Sequence, residues 1–108
     1  MQGTPLPAPF FQILIALMPG EAHGYAIMLD VAERSQGKLR LSPGTLYGSI
    51  KRMLETGLIQ EVRSKSGDER RRYYRLTELG RKTARAETAR LTETLRYARA
   101  NGLKPQEG

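Results

Sequence analysis

At 108 residues the chain has room for one compact domain with a modest core, which a partner chain would help to cover. Lys and Arg number 18 against 11 acidic residues, a formal charge of +7 with a pI near 10.1 that suits a polyanionic partner. The absence of cysteine excludes disulfides, thiolate metal sites and cysteine nucleophiles, and the single histidine, His23, leaves no second imidazole for a His-rich metal site.

The first predicted element is a helix over residues 9–18, PFFQILIALM, apolar nearly all round and therefore expected to be covered by its own core and by a partner chain. It lacks a basic leader and a small-residue cleavage site. At about half the ~20 apolar residues of a membrane span, it points to a soluble, cytoplasmic chain. Pro19 and Gly20 stop it. A second helix is predicted over residues 23–34, with Tyr25, Ile27, Met28, Val31 and Ala32 on one apolar face and Asp30, Glu33 and Arg34 in water. Residues 35–41, with Gly37, form the connection.

Ser42 caps a third helix, with Pro43 at the first helical position, where its missing N–H is harmless. Leu46, Ile50, Met53 and Leu54 make its inner face, while Ser49, Lys51, Arg52, Glu55 and Thr56 fall elsewhere. Gly57 ends it in the left-handed conformation. The period then changes to two. Leu58, Gln60 and Val62 alternate with Ile59, Glu61 and Arg63, and Tyr74 and Leu76 alternate with Arg75, predicting a hairpin whose loop SKSGDERR holds the turn formers Gly67 and Asp68.

Thr77 caps a last helix running to about residue 101, with Gly80 expected to weaken it slightly. Ala84, Thr88, Leu91, Leu95 and Ala98 recur at alternating spacings of 4 and 3, the seam of a short coiled coil or interface helix. Such a helix spans about 36 Å, more than a small hairpin needs as a cover, so half of it is expected to reach another subunit. Residues 102–108 are expected to be a disordered tail.

Most catalytic chemistry finds no support. A P-loop places its glycines before Gly-Lys-Ser/Thr at a helix start, whereas here Ser42, Pro43, Gly44 and Thr45 meet no lysine until Lys51. His23 has Glu21 nearby but no serine or second acid to complete a nucleophilic set, and a polar role at a helix start suits it better. Acidic residues are scattered singly. The chain is therefore not expected to be an enzyme, and no cofactor is implied.

The basic residues are grouped. Lys38, Arg40, Lys51 and Arg52 flank or lie on the third helix with no acid between residues 34 and 54, and Lys65, Arg70, Arg71, Arg72 and Arg75 crowd the hairpin. Helix, helix, capped helix and basic hairpin is the order of a winged helix-turn-helix, a mainly α (α+β) fold whose third helix enters the major groove. A solvated charge face is the plainer alternative. The hydroxyls of Ser42, Thr45, Tyr47 and Ser49 beside the charge favour DNA, since they suit phosphate and base-edge hydrogen bonds.

HGYAI at 23–27, LSPGTLYGSIKRMLETGLI at 41–59 and RRRYYRLTELGR at 70–81 together closely resemble the PadR family of bacterial transcriptional regulators. The resemblance implies a winged domain over 1–77 with a two-stranded wing, and a single dimerisation helix over 78–101 as in the short-tailed branch of the family. It further implies a homodimer that binds a two-fold operator on double-stranded DNA, usually as a repressor. Tyr25 is similar to the family tyrosine near the DNA-facing side of the second helix. Ser42, Gly44, Thr45 and Tyr47 match the start and first turns of the recognition helix, Arg70, Arg71 and Arg72 match the wing, and Tyr74 and Leu76 its inward anchors. Lys51 and Lys65 are expected to join the DNA contact. Met53 stands where the family has leucine. Some short-tailed members hold flat aromatic drugs between tryptophans, and this chain has no Trp, so the sequence names no small-molecule effector.

The dimer interface is expected to use Phe10, Phe11 and Leu14 of the first helix against Ala84, Thr88, Leu91, Leu95 and Ala98 of the last. A protein-interaction module and a sequence-indifferent DNA-binding protein remain as alternatives to an operator-specific regulator.

Overall fold

The computed structural model describes residues 5–63 and 71–105. In chain order they form helix α1 (Ala8–Ala16), strand β1 (Ala22–His23), α2 (Gly24–Arg34), α3 (Pro43–Glu55), β2 (Ile59–Val62), β3 (Tyr73–Leu76) and α4 (Glu78–Ala100). One apolar side of α1, carrying Ile13, Leu14 and Leu17, is fully buried together with Ile27 and Val31 of α2 and Leu46 and Met53 of α3. Ile59, Tyr74, Leu76 and Ala84 close this core from the sheet and α4. Leu14 therefore belongs to its own core and not to a dimer interface, correcting the expectation. An all-round apolar helix carries no mark of which side faces its own domain.

The inner face of α2 is set by Gly24, Ile27 and Val31. Tyr25 is 59% exposed and leaves the apolar face assigned to it from the sequence. Tyr25 lies one residue, about 100° of helical turn, from the buried Gly24.

Three helices end alike. Gln36, Gly57 and Gly102 each take a positive φ, of 56°, 80° and 91°. The next residue's N–H then reaches back into the helix, from Gly37 to the Ala32 carbonyl, from Leu58 to Met53 and from Leu103 to Ala98. These are Schellman ends, and only the first uses a residue other than glycine. At the end of α4 the N–H groups of Gly102 and Leu103 thus bond back to the Arg99 and Ala98 carbonyls.

The sheet has three strands in the order β1-β3-β2, all antiparallel, with Ala22 opposite Tyr74, His23 opposite Tyr73 and Ile59 opposite Leu76. The expected two-stranded wing thus gains a two-residue partner, too short to show a period of two. This strand fastens the wing to the start of α2.

Thr77 holds the β3–α4 corner: its hydroxyl donates toward the Gly57 and Leu58 carbonyls, at 2.5 and 3.1 Å, and accepts from the Gly80 N–H at 3.0 Å. Gly80 is buried so close to the preceding chain that a Cβ there would stand 2.1 Å from the Leu58 carbonyl oxygen. The glycine is required by that approach rather than merely tolerated. The first half of α4 packs on α1 of the same chain, burying Ala84 and Glu87. Glu87 accepts from Arg90 at 2.9 and 2.7 Å, and the Leu6 N–H also bonds it, tying down the segment before α1. Arg90 foremost holds the Glu87 carboxyl below its ordinary pKa. Beyond Leu91 the helix projects, with Leu95 and Tyr97 57% and 74% exposed.

Candidate nucleic-acid interface

The outer face of α3 follows from its cap. Ser42 Oγ accepts from the Thr45 N–H at 3.1 Å and donates to Thr45 Oγ1 at 3.0 Å, fixing two hydroxyls at the helix start. Gly44 and Gly48 lie one turn apart with nothing within 4 Å of a Cβ built on either. They leave the backbone bare along one line of the helix. Tyr47 and Lys51, also four apart, are exposed beside that line.

Tyr47 rests on Gly24 of α2, where a Cβ would come 2.5 Å from its hydroxyl oxygen. The missing side chain of Gly24 is what lets the two helices present Tyr25 and Tyr47 together. Both line a cleft of about 450 Å³ with His23, Gly24, Arg71, Arg72 and Tyr74. The cleft lies where the start of α2, the face of α3 and the base of the wing meet. Burial foremost, with Glu61 across the strand pair, raises the Tyr74 hydroxyl pKa, so this wall stays neutral. His23 caps α2, its Nδ1 accepting from the Ala26 N–H at 3.1 Å, and its Nε2 lies 3.0 Å from Arg71 Nη1. The ring meets Tyr73 edge-on at 5.3 Å.

Two residues expected near the DNA turn elsewhere. Ser49 is buried, since it falls between Leu46 and Met53 on the inner side of α3. Arg52 lies over the Phe10 ring at 6.0 Å. Phe10 itself packs against the core of its own chain, so it covers α3 instead of offering a free apolar face. Lys65 and Arg70 lie outside the described residues. Gly48 was missed, although its spacing from Gly44 on an otherwise polar face was readable.

A second surface lies on the far side of α1. Phe11, Ile15 and Met18 line an apolar groove of about 330 Å³ against Arg81, Ala84, Arg85, Thr88 and Ala89 of α4. Among the described residues no group of three or more His, Asp or Glu could hold a metal, and no helix is long and apolar enough to cross a membrane.

The sequence profile of the transcriptional regulator PadR-like family matches residues 13–86, from within α1 into α4. The chain belongs to this family. No curated protein matches the chain. Among solved structures, the PadR-like chain is similar to a transcriptional regulator from Clostridium thermocellum, at 25% identity and a TM-score of 0.73 over 89% of this chain and 90% of that one. A PadR family transcription regulator from Clostridium difficile gives 23% identity and a TM-score of 0.73 over 87% and 97% of the two chains. Bacillus subtilis PadR, solved in complex with operator DNA, gives 22% and 0.65 over 73% of this chain and 45% of that one. The PadR-like chain is thus a transcription regulator with the winged-helix fold of its neighbours.

Proposed function

We propose that the protein binds double-stranded DNA sequence-specifically as a homodimer and represses transcription from a two-fold operator. The observation that carries this reading is the meeting of Tyr47, from the outer face of α3, with Tyr25 and with Arg71 and Arg72 at the base of the wing around one cleft. Ser42, Gly44, Thr45, Tyr47 and Lys51 would meet the major groove, while Arg71 and Arg72, with Lys65 and Arg70 of the wing, neutralise phosphates. The role is that of a cytoplasmic binding protein, not an enzyme.

Dimerisation would seat a second copy of α4 in the groove of Phe11, Ile15 and Met18, joined by the projecting Leu95 and Ala98. Two recognition helices held in this way would address successive major grooves about 34 Å apart. Binding to the DNA upstream of the protein's own gene is compared with binding to scrambled DNA at moderate salt. Preferential binding is expected; equal affinity or none overturns sequence-specific recognition.

A further inference from the structure

We infer that the Tyr74 hydroxyl, at the floor of the cleft between α2, α3 and the wing, donates to a backbone phosphate of bound DNA, with Arg72 supplying the charge beside it. The inference rests on the DNA-binding reading and makes a residue that packs the core a contact of that site.

Tyr74 is 4% exposed, and its ring joins Ile59 and Leu76 in the core. Its hydroxyl has no hydrogen-bond partner among the described residues, yet none of their sealed polar side-chain atoms is left unsatisfied. The hydroxyl is therefore not sealed: it opens on the cleft of about 450 Å³ that Tyr74 lines. A phenylalanine would pack the same ring. An O–H held at the edge of a core with no protein partner adds nothing to the fold and is free to bond a group from outside.

The surroundings select an anionic acceptor. Burial foremost, then Glu61, holds the Tyr74 phenol above its ordinary pKa, so it keeps its proton and can donate. Arg72 acts on the phenol in the opposite sense and lines the cleft, whereas Glu61 does not line it. The half-exposed Tyr25 and Tyr47 line it as well, and no acidic side chain is among its lining residues. The cleft also opens at the start of α2, where the helix dipole favours negative charge. A phosphodiester has two non-bridging oxygens, enough to accept from the phenol and from the guanidinium together. The DNA backbone is the source, because a strand whose major groove holds α3 passes between that helix and the wing.

Tyr74→Phe removes the donor and keeps the ring. It is expected to melt at the wild-type temperature or above; a melting temperature well below it would show the hydroxyl bonded within the fold and overturn the inference. Against a duplex selected from a random pool by the wild-type protein, fluorescence anisotropy is expected to show roughly tenfold weaker binding, the loss of one hydrogen bond to a charged acceptor. Unchanged affinity overturns the contact. The salt dependence of Tyr74→Phe stays that of wild type, because a neutral donor releases no counterion, whereas Arg72→Ala flattens the slope by about 0.9. Replacing single phosphates with methylphosphonates should reveal one position that weakens wild type more than it weakens Tyr74→Phe. Equal losses in both proteins at every position would mean that the hydroxyl meets no phosphate. Inorganic phosphate, added at constant ionic strength, is expected to compete no better against wild type than against Tyr74→Phe. Stronger competition against wild type would assign the cleft to a free anion and overturn the DNA backbone as its ligand. A wild-type protein that selects no duplex overturns the DNA reading itself.

Discussion

Gly80 at the start of α4 lies against the Leu58 carbonyl so closely that a Cβ would stand 2.1 Å from its oxygen. Leu58 is fixed by the end of α3, and Thr77 bonds the same carbonyl, so neither side of the contact can yield. Gly80→Ala is expected to destabilise the fold by about 3 kcal/mol or more, the range of overpacked or strained interiors. Urea denaturation followed by circular dichroism measures it, and a loss below about 1 kcal/mol would refute the rigid corner.

Gly24→Ala makes the complementary case. The group it would strike is the ring of Tyr47, a half-exposed side chain that can swing outward. Stability should change by about 1 kcal/mol or less, while DNA affinity drops roughly tenfold as Tyr47 leaves the cleft. Thermal melting and fluorescence anisotropy on one sample separate the two effects.

Gln36 ends α2 in the left-handed region at φ 56°, where the other two Schellman ends use glycine. Gln36→Gly relieves a side-chain clash that is only partly offset by the freer unfolded chain. A gain of about 0.5 kcal/mol is expected in denaturant titration.

Glu87 contributes a pH-dependent part of stability. Its folded pKa lies below its ordinary value of 4.5, chiefly through the Arg90 hydrogen bonds. The carboxylate therefore stabilises the fold above that value, and the contribution is lost as pH falls through the lower folded pKa. Glu87→Gln should be less stable than wild type near neutrality, with the gap narrowing below pH 4.5. Melting temperatures between neutral and acidic pH test this, and a gap that widened on acidification would contradict it.

Leu95 is exposed on the projecting part of α4, so Leu95→Asp should leave the single-chain fold intact. Combined with Leu91→Asp, it is expected to give monomers by light scattering and to cost most of the operator affinity. A dimer that persists after both changes would remove α4 as its seam.

The order of the four helices and the two wing strands was legible because each carries its own local signal. Ser42 and Thr77 cap α3 and α4 as their residue types predict, and Gly57 turns the chain where glycine is cheapest. β1 was not legible, since its two residues pair only because β3 passes beside them. The candidate site was half legible: Tyr47, Thr45 and Arg71 follow from pattern and resemblance, whereas the placing of Tyr25 against Tyr47 depends on Gly24 being bare.

By itself the sequence determined the helices, their caps, the wing and the basic charge, all of which rest on interactions among near neighbours in the chain. Only the tertiary structure decided which side of α1 is core. Leu14 went inward and Phe11 outward, a choice made by the elements that α1 packs against rather than by its own periodicity. It also decided that Arg52 covers Phe10 and that His23 faces Arg71, 48 residues away. Contacts between such distant residues depend on how the layers close over one another, and no local propensity encodes that.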